Sequence, residues 1–137
     1  MKIHNIQIRS EIVLLEDDPT LRELLTETLE PHPVHSFGNG KAALEWFERH
    51  PANHVQLVIS DYNLPGLTGV ETVARIRALA PRLKFILMSG TPTEAVGDLA
   101  RQNHFDGCLQ KPFSPSELEQ VVESVLGENG QEISFCI

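Results

Sequence analysis

The sequence contains few of the features that mark secreted, disulfide-rich or membrane proteins. Its 137 residues include only two cysteines, Cys108 and Cys136, without the density of a disulfide scaffold or the spacing of metal ligands, so we expect free thiols. No apolar run approaches the ~20 residues that cross a bilayer, and residues 1–10 show no signal-peptide pattern. These absences favour a cytoplasmic protein with no membrane segment.

Basic side chains are also scarce. The chain has 11 lysines and arginines against 19 acidic residues, which gives a net charge of −8. No cluster of basic residues offsets this excess. Because nucleic-acid binding depends mainly on neutralising phosphates with lysine and arginine, the charge argues against a direct nucleic-acid partner.

The chain shows no internal repeat, low-complexity tract or linker. This indicates one domain over residues 11–127, with an N-terminal extension (1–10) and a C-terminal tail (128–137). Apolar and polar residues alternate at 6–8 and at 133–137, so we also predict that at least one of these tails forms an extra strand.

Five short apolar runs alternate with amphipathic segments, the pattern of parallel strands covered by helices on both faces. The runs are 12–15, 34–37, 55–59, 85–88 and 107–109. Right-handed crossovers between them predict an α/β fold, a doubly wound five-stranded parallel sheet with five helices.

Polar residues at the expected helix starts support the five helices. Asp18 is a good N-cap, and Pro19 after it suits the first helical position. The other boundaries are predicted by capping boxes at Thr68/Glu71, Thr91/Glu94 and Ser114/Glu117, by a helical segment from about Asn39 to Arg49, and by Gly127 as the last terminator.

The candidate functional residues follow the predicted strands. Glu16 and Asp17 come after the first strand, Asp61 after the third, Ser89 after the fourth and Lys111 after the fifth. In such folds the sites form at the edge where the carboxyl ends of the strands meet. Two carboxylates about 4 Å apart repel by roughly 4 kcal/mol at an effective dielectric of about 20. A lysine and a hard divalent cation such as Mg²⁺ would offset this repulsion, and together they indicate phosphoryl transfer to a carboxylate.

The sequence resembles the receiver domain of two-component response regulators in four places. These are Glu16-Asp17-Asp18-Pro19, Ser60-Asp61 followed by Leu64-Pro65-Gly66, Met88-Ser89-Gly90, and Lys111-Pro112-Phe113. The resemblance runs from about Ile12 to Leu126. It implies the flavodoxin-like receiver fold with strand order 2-1-3-4-5.

The resemblance also implies a role for each candidate residue. Asp61 would be the phosphoacceptor, Ser89 the switch hydroxyl and Lys111 the partner of a phosphoryl oxygen. Mg²⁺, or Mn²⁺ as a substitute, would be held by Asp17, Asp61, the backbone carbonyl of Asn63 and, through water, Glu16. The Lys111–Pro112 peptide would be cis.

A member of this family would catalyse only its own phosphorylation and dephosphorylation. It would receive the phosphoryl group from a sensor histidine kinase or a phosphotransfer protein. A downstream protein would bind the face formed by the fourth helix, fifth strand and fifth helix. Two residues depart from the family pattern: Cys108 replaces an aromatic residue, and His104 replaces a glycine, so either Asn103 or His104 takes the left-handed turn.

Two other function classes share part of this pattern. A phosphohydrolase of the haloacid dehalogenase type also forms an aspartyl phosphate with magnesium, but its nucleophile follows the first strand in an Asp-x-Asp pattern. A flavin-binding module would need a phosphate loop rich in serine, threonine and glycine where Glu16, Asp17 and Asp18 stand. Within that acidic segment, Asp18 is better interpreted as the helix cap than as a ligand.

Overall fold

The computed structural model of the chain describes residues 10–90 and 92–127, apart from the side chains at 93 and 94. Along them strands and helices alternate, as predicted. The strands are β1 Glu11–Leu15, β2 Val34–Phe37, β3 Val55–Asp61, β4 Lys84–Ser89 and β5 Gly107–Gln110. The helices are α1 Pro19–Thr28, α2 Gly40–Arg49, α3 Gly69–Leu79, α4 Thr93–Gln102 and α5 Pro115–Val125.

All strands of the sheet are parallel, in the order β2-β1-β3-β4-β5, which confirms the doubly wound topology. Side chains of β1 alternate between two apolar layers. Ile12 and Leu14 join the layer with α1 and α5, whereas Val13 and Leu15 join the layer with α2, α3 and α4. Because both faces of the sheet are covered, polar groups concentrate at the strand ends.

Most predicted helix starts are confirmed. The N-caps of α1, α2, α3 and α5 are Asp18, Asn39, Thr68 and Ser114, and the last two form complete capping boxes. The start of α4 is one residue later than predicted: α4 begins at Thr93, and its N-cap is Pro92, which has extended backbone (ψ 147°). The bonds of a Thr91/Glu94 box involve side chains outside the described part of the structure, so the box stays a prediction. Thr91 itself lies outside the described residues.

Two residues with positive φ follow helices. Gly127 has φ 71°, which confirms the predicted end of α5. After α4 the left-handed turn is taken by His104 (φ 61°), while Asn103 has φ −107°. A residue other than glycine costs about 1 kcal/mol there. The guanidinium of Arg77 holds this turn by donating to the carbonyl oxygen of His104 at 3.0 Å.

Trp46 of α2 forms an aromatic stack at the β2 edge of the sheet. Its ring centroid lies 4.6 Å from that of His35 and 4.7 Å from that of His50. Phe47 packs edge-on against it at 5.2 Å. Nε2 of His35 also lies 2.9 Å from Oε1 of Glu11. These histidines therefore contribute to packing, and within the described residues they join no cluster able to hold an ion.

The prediction of a free thiol at Cys108 is wrong. This residue is fully buried on β5 and is disulfide-bonded. Cysteines that are distant in sequence reveal a disulfide only when the fold brings their Cβ atoms within about 4 Å, which spacing along the chain does not show. Cys136, the other cysteine of the chain, lies outside the described residues.

Residues 1–9 and 128–137 of the two tails also lie outside the described residues, so the extra strand and the boundaries of the domain stay predictions. Of the helices that the structure describes, none combines the length and apolar character that a bilayer crossing requires. The fold that positions the site is thus a succession of five βα units from β1 to α5.

Candidate functional site

The carboxyl ends of the strands bring the predicted acids and the lysine together. Glu16 and Asp17 follow β1, Asp61 ends β3, and Lys111 follows β5. Because β3 lies between β1 and β4, Asp61 stands in the middle of this edge. Glu16 and Asp61 are 1% and 5% exposed, whereas Asp17 is exposed. The acidic pocket therefore has two buried carboxylates and a third at its mouth.

Lys111 bridges the two buried carboxylates. Its Nζ atom lies 2.8 Å from Oε1 of Glu16 and 2.9 Å from Oδ2 of Asp61. The direct contact with Glu16 was not predicted, because two adjacent acids carry no sign of which one turns inward. The lysine thus ties the end of β1 to the end of β3 through side chains.

Burial and ion pairing shift these groups in opposite directions. Burial raises the pKa of Glu16 above its ordinary value of 4.5, and the hydrogen bond from Lys111 lowers it only in part. Burial alone would lower the pKa of Lys111, but the hydrogen bonds to Asp61 and Glu16 outweigh burial and raise it above 10.5. Lys111 therefore stays charged at neutral pH. One lysine cannot balance three carboxylates, so the pocket favours a cation.

The acids suit a hard divalent ion. One carboxylate oxygen from each of Glu16, Asp17 and Asp61 lies within 4.8 Å of the other two. Mg²⁺ prefers one or two carboxylates together with several waters, and the exposed position of Asp17 leaves room for water. In the part of the chain that the structure describes, no other group of three or more acids, histidines or cysteines is close enough to share an ion.

Asn63 and Ser89 lie beside the pocket. Asn63 is exposed, and its backbone N–H points to Oδ1 of Asp61 at 3.4 Å. Ser89 is fully buried at the end of β4, and its carbonyl oxygen accepts a hydrogen bond from the backbone N–H of Lys111 at 2.7 Å. The backbone therefore couples the strand that carries the hydroxyl to the lysine. The Lys111–Pro112 peptide is cis, as the resemblance implied.

The start of α3 packs tightly against the backbone of Asp61. A Cβ atom at Gly69 would stand 2.0 Å from the carbonyl oxygen of Asp61, so only glycine fits there. The same oxygen accepts a hydrogen bond from the Ser60 hydroxyl at 2.9 Å. The N–H of Gly69 donates to the carbonyl of Tyr62 at 3.0 Å. The position of Asp61 is thus fixed from the side of α3.

The loop that carries Glu16 and Asp17 is also held by several bonds. Oδ1 of Asp18 accepts from the N–H of Thr20 at 3.0 Å, which confirms Asp18 as a helix cap. Oε2 of Glu16 accepts from the N–H of Asp18 at 3.1 Å. The guanidinium of Arg22 donates to the carbonyl oxygen of Glu16 at 2.7 Å, a contact that the sequence did not predict.

An apolar groove opens beside the pocket, between α1 and α5. It has a volume of about 400 Å³ and is lined mainly by Leu21, Leu24, Leu25, Pro112, Phe113 and Leu118. Leu24 belongs to the apolar stripe of α1 but is 55% exposed. Lys111 lines the groove as well as the pocket, so the two are contiguous.

Comparison with known proteins agrees with this geometry. The family model of the response regulator receiver domain matches residues 12–123. The response regulator protein FleR of Pseudomonas aeruginosa is 36% identical over 124 residues, which cover 87% of this chain but only 25% of FleR. The response regulator receiver protein CpdR of Brucella abortus is 29% identical over 117 residues, which cover 84% of this chain and 95% of CpdR.

A solved structure has the same fold. The signal receiver domain of an HD domain-containing protein from Pseudomonas fluorescens matches with a TM-score of 0.76 and 26% identity, over 91% of this chain and 100% of that one. The chain therefore spans a small part of long relatives such as FleR and nearly all of the short CpdR. With this fold and a family match over residues 12–123, the chain belongs to the receiver domains of two-component response regulators.

Proposed function

We propose that Asp61 accepts a phosphoryl group and that this modification changes the partner-binding surface of the chain. The observation that carries the proposal is the contact of Lys111 Nζ with both Glu16 and Asp61, next to the third carboxylate of Asp17. A carboxylate nucleophile, a cation site and a lysine that reaches the nucleophile are the components that phosphoryl transfer requires.

In the proposed reaction an oxygen of Asp61 attacks the phosphorus atom of the donor. A bond between that oxygen and phosphorus forms, the bond from phosphorus to the leaving group breaks, and the leaving group keeps the electron pair. Lys111 and the hydroxyl of Ser89 would then bind phosphoryl oxygens. Bound Mg²⁺ would neutralise part of the added charge of about −1.5 to −2. Its ligands would be Asp17, Asp61, the backbone carbonyl of Asn63 and, through water, Glu16.

Intact-mass measurement tests this assignment. The chain is incubated with acetyl phosphate, and we expect the mass of one phosphoryl group to be added only when Mg²⁺ or Mn²⁺ is present. Asp61→Asn should abolish the addition. Asp98→Asn, which changes an exposed aspartate of α4, is the matched control and should leave the addition intact. Equal incorporation by the wild-type chain and Asp61→Asn would refute the assignment.

The same preparation distinguishes a switch from a phosphohydrolase. We expect the chain to catalyse only its own phosphorylation and dephosphorylation. A generic aryl phosphate should therefore not be turned over. Sustained hydrolysis of that substrate by the wild-type chain, lost in Asp61→Asn, would instead support a phosphohydrolase.

We infer further that the phosphodonor is a histidine kinase or phosphotransfer protein that places a helix in the groove between α1 and α5. A groove between two helices fits the apolar face of a third. Leu24 supplies exposed apolar surface, and Lys111 joins the groove to the pocket. The exposed acids Glu23 and Glu27 on α1 favour a donor with basic residues beside its apolar face.

Two labelling reactions test the groove. Leu24→Ser should slow phosphoryl transfer from a histidine kinase that labels the wild-type chain, and it should leave labelling by acetyl phosphate unchanged. Leu79→Ser is the matched control, because Leu79 is 50% exposed on α3 and does not line the groove. Equal slowing with both donors, or none with the kinase, would contradict the proposed docking site.

We propose the face formed by α4, β5 and α5 as the surface that a downstream protein binds in the cytoplasm. Three features support a displaceable α4: its N-cap Pro92 makes no side-chain bond, Gly97 lies within it, and His104 with φ 61° follows it. An element that is weakly held moves at low cost. Ser89 ends the strand that leads into this helix. Ser89→Ala should therefore weaken partner binding after phosphorylation, measured by titration of the labelled chain, while labelling of Asp61 persists.

A further inference from the structure

Arg22 contacts the acidic loop twice. Its Nη1 atom donates to the carbonyl oxygen of Glu16 at 2.7 Å, and its backbone N–H donates to the carbonyl of Asp18 at 2.8 Å. The Glu16 carbonyl belongs to the peptide that joins Glu16 to Asp17, the two residues that present carboxylates to the pocket. A hydrogen bond from a charged donor is roughly twice as strong as a neutral one, so Arg22 orients this peptide firmly.

The last residue of β2 and the glycine after it contact the same segment from the other side. The N–H of Glu16 donates to the carbonyl of Phe37 at 3.1 Å. At the next residue, Gly38, a Cβ atom would lie 3.0 Å from Nη1 of Arg22. Gly38 lacks the positive φ that requires glycine at Gly127, so its backbone conformation does not explain the glycine. A side chain at this position would instead require the guanidinium of Arg22 to shift by a few tenths of an ångström.

We propose that Arg22 is a positioning residue for the metal-binding acids and that Gly38 provides the room it needs. This inference rests on the proposed metal-dependent phosphorylation of Asp61 and adds how the acids are held for the cation. Because Arg22 binds a backbone oxygen, its positive charge reaches the acidic loop without occupying a carboxylate. Arg22 itself therefore takes up none of the carboxylate oxygens of Glu16, Asp17 and Asp61, one of each lying within 4.8 Å of the other two.

Binding of Mn²⁺ to the full chain, followed by the electron paramagnetic resonance signal of free Mn²⁺, tests the proposal without reference to phosphorylation. Arg22→Met should weaken binding about tenfold, the usual effect of losing a contact that orients metal ligands. Gly38→Ala should weaken binding in the same direction, because it displaces the guanidinium. Arg22→Lys, which can still donate one hydrogen bond, should recover part of the loss. Arg75→Met removes an exposed arginine of α3 and is the matched control.

The outcomes separate this inference from the function on which it rests. If the wild-type chain binds Mn²⁺ and Asp17→Asn weakens that binding, but folded Arg22→Met binds as tightly as the wild type, the inference alone is overturned. Gly38→Ala with unchanged affinity overturns it equally, and this variant decides the matter if Arg22→Met does not fold. A wild-type chain that binds no Mn²⁺ overturns the proposed function and the inference together.

Discussion

Replacement of Asp17 by asparagine separates two effects of the acidic pocket: the charge repulsion that destabilises the metal-free chain and the cation binding that stabilises it. One oxygen of Asp17 lies within 4.8 Å of oxygens of Glu16 and Asp61. At that separation each pair of charges repels by about 1 kcal/mol in water, and the aqueous value applies because Asp17 is exposed. Lys111 already offsets part of the charge of the other two acids. We therefore expect Asp17→Asn to stabilise the metal-free chain by about 1 kcal/mol, or about 4 °C in Tm.

Addition of Mg²⁺ should make the wild-type chain more stable than Asp17→Asn. An ion that binds only the folded state stabilises it, and the stabilisation grows with the ion concentration. The wild-type chain should gain stability in this way, whereas Asp17→Asn, which has lost a ligand, should gain little. Urea unfolding followed by circular dichroism, with and without MgCl₂, measures both effects.

The control for net charge is Glu45→Gln, which removes an exposed acid of α2 outside the pocket. It should change stability little under either condition and should keep the response to Mg²⁺. The reasoning is refuted if Asp17→Asn is less stable than the wild type without Mg²⁺. It is also refuted if Asp17→Asn gains as much from Mg²⁺ as the wild type does.

Three further changes test the packing and the electrostatics. Gly69→Ala should lower the free energy of unfolding in urea by about 2 kcal/mol, because the added Cβ atom clashes with the backbone of Asp61. An unchanged free energy of unfolding would contradict the packing. Ser114→Ala should cost about 1 kcal/mol by removing the cap of α5, and the exposed Ser116→Ala should cost clearly less. Because the pKa of Glu16 is raised above 4.5, the folded state binds its proton more tightly and the free energy of unfolding falls as pH rises above that value. Glu16→Gln should flatten this part of the metal-free stability curve, and equal slopes would disprove the assignment.

The strand pattern predicted most of the fold because both faces of the sheet are buried. The run at 55–59, which is apolar except for Gln56, could only be a covered strand or a buried helix, and its shortness favoured the strand. Once parallel strands were predicted, their carboxyl ends had to meet at one edge, which placed Asp61 near Glu16 and Lys111. The site therefore followed from topology, and the structure brings these three side chains into contact.

The details that were not predicted depend on neighbours in space. Thr91-Pro-Thr-Glu94 and Ser114-Pro-Ser-Glu117 share one pattern, yet the N-cap of α5 is Ser114 whereas that of α4 is Pro92, one residue after Thr91, so the pattern alone does not decide where a helix begins. The contact of Arg22 with the Glu16 carbonyl depends on where α1 begins relative to β1. The disulfide bond of Cys108 depends on tertiary approach, which sequence spacing does not encode.

The aromatic stack at the β2 edge places the tryptophan and the tyrosine of the chain in different parts of the molecule. Trp46, the single tryptophan, lies between His35 and His50 beside an edge strand that is two strands away from β3. Tyr62, the single tyrosine, directly follows Asp61. Tryptophan emission should therefore report the integrity of the sheet edge, and tyrosine emission the environment of Asp61. Excitation at the red edge of the absorption band selects Trp46 alone, and the additional emission excited at shorter wavelength contains the contribution of Tyr62. Unfolding and modification of the same unlabelled sample can thus be followed by comparing the two excitations.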